Sequence, residues 1–161
     1  MTWTDNRPSL NGGGVVGRII NSDGIPKGPD FVIADAPGTQ GAPKMVFVPK
    51  QNKYFVVFQD ARYHTPPPGA PPYARQYDIF AKWLKPDGRP SGEDIPIYIA
   101  PGSQSLPMLA YSPIKKRILI AWRDENAPGD FPPAGPGAPM APEVKADVRG
   151  AIYGSSSTME E

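Results

Sequence analysis

The chain contains no cysteine, and this absence excludes a disulfide framework, a thiolate zinc site and a thiol nucleophile. It contains one histidine, and its 17 basic residues are balanced by 16 acidic residues. A net charge near zero gives no electrostatic reason to expect binding to nucleic acid or to an anionic membrane, because both need a basic patch. No apolar run reaches the roughly 18 residues of a membrane span. The first residues, MTWTDNRPS, lack the basic and apolar regions of a secretion signal.

Proline and glycine are abundant instead. The 23 prolines and 17 glycines form about a quarter of the 161 residues, so long helices are disfavoured. Eleven of the prolines lie in two blocks, 61–76 and 125–146, which we interpret as loops. Outside these blocks the chain is rich in Ile, Val, Tyr, Phe and Trp, which favour β-strands. The composition therefore predicts a single all-β domain with two proline-rich loops.

The chain contains an internal repeat with a spacing of 64 residues. Residues 15–60 align with residues 79–124 without a gap, and 13 of the 46 positions are identical. Partial units flank the two full ones: residues 1–6 resemble the end of the unit, residues 147–153 resemble its start, and 154–161 form a polar tail. Two unrelated segments would rarely match in this way, so the repeat is a feature of the fold.

Each unit contains four short apolar runs that we interpret as strands. The runs are Val15–Ile20, Phe31–Ala36, Lys44–Val48 and Tyr54–Gln59 in the first unit, and Ile79–Leu84, Ile95–Ala100, Met108–Ser112 and Ile118–Arg123 in the second. Arg18 and Lys82 in the first run favour an outer strand, because charges deter edge pairing. The fourth run is almost continuously apolar and is expected to be covered on both faces.

Four short antiparallel strands in each repeat predict β-propeller-like blades, with a β-sandwich as the alternative and a β-solenoid as a weaker one. In the blade interpretation, the D-G-x-P-x-G segment between the first and second runs carries the chain from one blade to the next. Two full units are too few to close a propeller, so we expect several chains to assemble into a ring or a filament. The expected subunit junction pairs the last strand of the partial N-terminal unit (Trp3, Thr4, Asp5) with the first strand of the C-terminal one (Val148, Gly150, Ile152).

Three segments of the second unit carry a resemblance to a known class of repeats. They are DIFAKWLKPDGRPSGEDIPI, SLPMLAYSP and RILIAWRD. These segments resemble the tandem repeats of large extracellular bacterial and archaeal proteins, whose pattern is DIYGRLLDADG, then PxVAYDP, then YLVVWRD. The resemblance covers roughly residues 1–60 and 77–153. It implies propeller-like blades and an extracellular or cell-surface location, and it implies nothing definite about activity.

The residues that usually carry chemistry have simpler interpretations here. His64 precedes a run of prolines and has no partner nearby in sequence, so we interpret it as an exposed loop residue rather than a ligand. The repeated aspartates do not follow a calcium-loop pattern, and we expect them to satisfy turns. The run Gly12–Gly14 is a connector, because no Gly-Lys-Ser/Thr follows it. We therefore expect no catalytic residue, no metal site and no cofactor.

The proline-rich loops are the second candidate region. Tyr63, His64, Tyr73 and Phe131 lie in these loops, where strand packing does not demand them. Such segments are either solvated or extended over a partner, since polyproline conformations lose little entropy on docking. The leading hypothesis is a non-enzymatic structural protein that self-associates through strand edges and proline-rich loops. The alternative is a binding module for a surface glycan or protein, and a hydrolase on a propeller scaffold is a third possibility.

Overall fold

The computed structural model describes residues 1–7, 10–64, 76–125, 146–153 and 159–160. These residues form β-strands joined by turns, together with one short 3-10 turn at Pro49–Gln51. The strands are β1 (Thr2–Asp5), β2 (Gly14–Ile20), β3 (Pro26–Ala34), β4 (Gln40–Val48), β5 (Lys53–Asp60), β6 (Asp78–Leu84), β7 (Ile95–Tyr98), β8 (Ser103–Ser112), β9 (Arg117–Glu125), β10 (Ala146–Tyr153) and β11 (Met159–Glu160). The predicted all-β class is confirmed.

The strands form three antiparallel sheets in which neighbours in sequence are neighbours in space. The first sheet has the order β1-β2-β3, the second β4-β5-β6-β7, and the third β8-β9-β10-β11. The described strands form open sheets and close into neither a barrel nor a propeller. Each sequence repeat is therefore divided between two sheets. Its first two strands end one sheet, and its last two strands begin the next.

The prediction of where the chain passes between sheets was wrong. The Asp23-Gly24 and Asp87-Gly88 segments form tight turns within a sheet, between β2 and β3 and between β6 and β7. The passage to the next sheet is instead made after β3 and after β7, at Pro37-Gly38 and at Pro101-Gly102. Gly38 has a φ of +90°, and a Cβ there would lie 2.8 Å from the Ala61 carbonyl oxygen. The passage therefore requires glycine for both conformation and space.

The strand predicted to be outermost is also placed differently. β2 lies between β1 and β3, and β6 lies between β5 and β7. The basic residues that suggested an edge strand, Arg18 and Lys82, are each paired with an aspartate of the same sheet. Arg18 Nε lies 2.7 Å from Asp30 Oδ1, and Lys82 Nζ lies 2.6 Å from Asp94 Oδ1. An inner strand can hold a basic side chain where a carboxylate from the neighbouring strand pairs with it.

The three sheets are stacked, with the second sheet in the middle. One apolar cluster joins the first and second sheets and includes Val15, Ile33, Val56, Phe58 and Phe80. A second cluster joins the second and third sheets and includes Phe55, Val57, Ile79, Ile120 and Trp122. Both faces of the second sheet are thus buried, and apolar burial of this kind is the main source of stability.

The expectation that the fourth strand of each unit is covered on both faces is confirmed for β5 and wrong for β9. In β5 the four residues Phe55–Phe58 are fully buried. In β9 buried and exposed residues alternate: Ile118, Ile120 and Trp122 are buried, whereas Leu119 is 52% exposed. The difference arises because, among the described strands, the third sheet packs against another sheet on one face only.

Candidate functional site

The centre of the outer face of the third sheet is apolar and exposed, and two exposed basic residues of β9, Arg117 and Arg123, lie on the same face at either end of it. Along β9 and β10 the register places Leu119 opposite Ile152, Ala121 opposite Gly150 and Arg123 opposite Val148. Met108 on β8 pairs with Ala121 and lies on the same face. Met108 is 59% exposed, Leu119 52% and Val148 85%. We define this surface by its members Met108, Leu119, Ala121, Val148, Gly150 and Ile152.

Four of these six positions, those of Leu119, Ala121, Val148 and Gly150, are fully buried one repeat earlier, whereas Met108 corresponds to the exposed Lys44. Leu119 corresponds to Phe55 and Val148 corresponds to Ile79, and both of these residues are fully buried against the third sheet. Leu119 and Val148 keep the strand conformation and the apolar character of these residues, but no further sheet among the described residues covers them. The central part of the outer face therefore has the composition of a buried surface.

The outer face of the first sheet is the second surface against which no other sheet of the described residues packs. The register aligns Trp3, Val16 and Val32 in one row across β1, β2 and β3. Val32 is 46% exposed and Trp3 is half-buried, whereas Val16 between them is only 2% exposed. The corresponding row in the second sheet packs against the first sheet through Phe58 and Phe80. We define this surface by Trp3, Asp5, Val16, Arg18, Ile20 and Val32.

A network of charged side chains lies where the second sheet meets the first. Arg62 pairs with Asp60 at 2.6 Å and with Asp94 at 2.6 Å. Lys82 also pairs with Asp94, and its Nζ donates a hydrogen bond to the Ile33 carbonyl of the first sheet at 2.9 Å. Burial lowers the pKa of Arg62, but hydrogen bonds to the two carboxylates outweigh burial and raise it above its usual value.

The first sheet contains a copy of this network on its outer face. Arg7 pairs with Asp5 and, at 3.1 Å, with Asp30, which also pairs with Arg18. The hydrogen bonds from Arg7 lower the pKa of Asp5 to about 2. Arg7 is 46% exposed, whereas the matching Arg62 is 17% exposed.

Sequence reasoning assigned these aspartates to turns and missed the network. The available signal was the Asp-x-Arg triplet that occurs at both Asp5 and Asp60, followed by a basic residue in the next strand. In the third sheet the pairing is altered: Arg149 on β10 lies 2.7 Å from Asp124 and donates a hydrogen bond to the Tyr98 hydroxyl of the second sheet at 3.2 Å.

His64 is not the exposed residue that the sequence suggested. Its Nε2 lies 3.1 Å from Asp78 Oδ2, and its side chain is 22% exposed. Asp78 is fully buried, and burial raises the pKa of its carboxyl group while His64 acts in the opposite direction. Within the described residues, no group of three or more His, Cys, Asp or Glu side chains is arranged to hold a metal ion. The pair connects the start of the loop after β5 to the start of β6.

The predicted junction residues fall on the two outer faces. Trp3 and Asp5 lie on the face of the first sheet, and Val148, Gly150 and Ile152 lie on the face of the third. Thr4 lies on the opposite side of β1, where its Oγ1 accepts a hydrogen bond from the Ala42 amide at 3.0 Å. β1 pairs with β2 and β10 pairs with β9 within one chain. The exposed surfaces at the two ends of the stack are therefore faces rather than the expected strand pairs.

The predicted loop residues are described only in part. Tyr63 is 62% exposed, and its ring lies 6.1 Å from that of Phe80. Tyr73 and Phe131 lie outside the described residues.

Comparisons with known proteins give no relative: no protein-family model, no curated protein and no solved structure matches this chain. In the part of the chain that the structure describes, no helix has the length and apolar character needed to cross a membrane.

Proposed function

We propose that this protein is a non-enzymatic assembly module, in which a second copy of the chain covers the outer face of the third sheet. One observation carries the proposal. Leu119 and Val148 are exposed at positions whose counterparts, Phe55 and Ile79, are fully buried by the next sheet of the stack. An exposed contiguous apolar patch on a folded protein marks an interaction surface.

The occupant we propose is a second copy because the stack itself provides the matching surface. The three sheets are built from strands of the same repeat, and the second sheet already packs face to face against both the first and the third. A further sheet of the same type therefore has the shape and apolar character that this face accepts. In this proposal the sheets are propeller-like blades, and adding copies closes a ring or continues as a filament.

The charge distribution supports an assembly role over a catalytic one. The buried carboxylate of Asp60 and the neighbouring Asp94 are engaged by Arg62, and Asp94 is also engaged by Lys82. Carboxylates held in this way act as structural ion pairs rather than as a general acid and base, which would need contrasting pKa values at a cleft. The resemblance of the repeats to those of extracellular proteins favours an extracellular or cell-surface assembly.

A glycan- or protein-binding module remains the alternative hypothesis, and it would use the loop aromatics. Within the described residues that region offers one exposed ring, Tyr63. Stacking on a sugar or a proline-rich ligand needs a wider aromatic surface, so the self-association proposal is the better supported of the two.

The test compares two substitutions that introduce the same charge. Leu119→Asp lies on the outer face of the third sheet, and Ile114→Asp lies in the turn between β8 and β9, where Ile114 is 87% exposed. We expect light scattering to give a mass above the 17.4 kDa of one chain for the unmodified protein and for Ile114→Asp. Leu119→Asp is expected to remain at the mass of one chain.

Two results would overturn the proposal. One is an unmodified protein that keeps the mass of a single chain at every concentration. The other is an assembled protein whose mass is unaffected by Leu119→Asp. Urea unfolding of both variants in dilute solution checks that the single-chain fold is retained.

A further inference from the structure

We infer that the surface covering the third sheet is the outer face of the first sheet of the next copy, so that copies associate head to tail. This inference rests on the proposed self-association and specifies its partner surface. The alternative is a symmetric contact in which two third sheets face each other.

The internal contact between the second and third sheets is the template. In that contact, Phe55 of the second sheet packs on Tyr153 of the third, with ring centroids 5.3 Å apart. One repeat later, Leu119 takes the place of Phe55. Tyr153 corresponds to Leu84 in the second sheet and to Ile20 in the first. The template therefore brings Leu119 of one copy against Ile20 of the next copy.

The charged network gives an independent observation on the first sheet. Asp5, Arg7, Asp30 and Arg18 repeat the arrangement of Asp60, Arg62, Asp94 and Lys82, which lies where two sheets meet. In the second sheet this arrangement pairs each basic side chain with a carboxylate at the contact with the first sheet. When a neighbouring sheet covers these side chains, each charge already has a partner. The large free-energy cost of burying an unpaired ion is therefore avoided. The outer face of the first sheet is thus equipped to be covered in the same way.

The apolar row on the first sheet agrees with this assignment. Trp3, Val16 and Val32 occupy the positions of Phe58, Phe80 and Pro96 in the second sheet. Phe58 and Phe80 pack against Val15 and Ile33 of the sheet before them. A symmetric contact between two third sheets would leave Val32 and the exposed part of Trp3 uncovered in both copies, while Val16 is already buried within one chain. A head-to-tail contact covers both uncovered faces with one type of interface.

The test uses one blocking substitution on each face. Leu119→Asp blocks the third sheet and leaves the first sheet intact, while Val32→Asp blocks the first sheet and leaves the third intact. Each variant alone is expected to have the mass of one chain. An equal mixture is expected to form a complex of two chains, and no larger species, because it contains one unblocked pair of complementary faces.

The outcomes separate the inference from the proposed function. If Val32→Asp assembles like the unmodified protein while Leu119→Asp does not, the contact is symmetric; the inference is then wrong and self-association stands. A mixture that stays at the mass of one chain also overturns the inference. If the unmodified protein does not self-associate at all, both proposals fall.

A second measurement covers the case in which Val32→Asp does not fold. Because the chain has no cysteine, the double variant Ile20→Cys and Leu119→Cys has no competing thiol. Head-to-tail contact is expected to give a ladder of cross-linked chains on a denaturing gel after treatment with a short bis-maleimide, which alkylates both thiols without an oxidant and spans the roughly 10 Å between facing sheets. Ile20→Cys with Ile114→Cys is the matched control and is expected to give no ladder. Absence of the ladder in an assembled double variant overturns the inference.

Discussion

The second and third sheets are built from corresponding strands of the same repeat, yet they differ in how their residues are covered. β5 is buried on both faces, whereas β9 is buried on one face and exposes Leu119 on the other. The two strands have similar apolar sequences, YFVVF and ILIAW. The comparison teaches that the repeat determines which residues are apolar, while the position in the stack determines which of them are buried.

The first and second sheets differ in a similar way in their charged residues. Arg62 and Lys82 are mostly buried beside the first sheet, and their counterparts Arg7 and Arg18 are more exposed. The ion pairs are the same in both sheets, but the surrounding dielectric differs. An ion pair contributes according to its burial, so the two copies are expected to differ in their effect on stability.

The largest expected effect comes from truncating the two matched apolar positions. Phe55→Ala removes a fully buried ring and is expected to cost about 3–5 kcal/mol of unfolding free energy. Leu119→Ala is expected to cost less than about 1 kcal/mol in dilute protein, because the side chain is half-exposed. Urea unfolding of both variants measures the difference. Equal losses would show that the outer face of the third sheet is already covered within one chain.

The charged networks give the next largest effect. Asp60 is fully buried and accepts hydrogen bonds from the backbone and guanidinium of Arg62. Asp60→Asn leaves the Arg62 charge without its main partner and is expected to cost about 3 kcal/mol. Asp5→Asn removes the matching pair at the surface, where solvent screens it, and a smaller loss is expected. Chemical unfolding at low and high salt checks this order, and a larger loss for Asp5→Asn would contradict it.

The local features of the fold were readable from the sequence. The four strands of each unit were located to within five residues at either end, because alternation and turns rich in Gly and Pro are local signals. The passage between sheets was misplaced although the missed pairing is local: β2 pairs with β3 across the Asp23-Gly24 turn, with Ile20 opposite Pro26, and Asp-Gly is a hairpin signal. The contact between Arg62 and Asp94 spans 32 positions, and no local pattern predicts it.

The candidate site was predictable only in part, for the same reason. Val148 and Ile152 were identified as junction residues from the partial unit at the C-terminal side, and they do lie on an uncovered surface. Their partner was expected to be a strand edge, because sequence alone does not show that β10 already pairs with β9. His64 was interpreted as isolated because its partner, Asp78, lies beyond the proline-rich segment.

The smallest expected effect, and the cleanest comparison, comes from two equivalent glycines in the turns. Gly24 and Gly88 have nearly equal φ values of +79° and +84°, so alanine carries a similar conformational penalty of about 1–2 kcal/mol at both. A Cβ at Gly88 would lie 2.5 Å from the Phe31 ring of the first sheet, whereas a Cβ at Gly24 meets nothing within 4 Å. Gly88→Ala is therefore expected to be less stable than Gly24→Ala by about 1–3 kcal/mol, the cost of overpacking.

Thermal unfolding of the two glycine variants in dilute solution measures that difference with the backbone penalty cancelled. Equal losses would show that Phe31 moves aside freely and that the contact between the first sheet and this turn is loose. A further comparison follows from head-to-tail association, because the Gly24 turn of one copy then lies beside the third sheet of another. The extra penalty at Gly24 is expected to appear only at concentrations where the protein assembles. The same glycine thus reports whether a neighbouring sheet is present, and it does so without altering either apolar face.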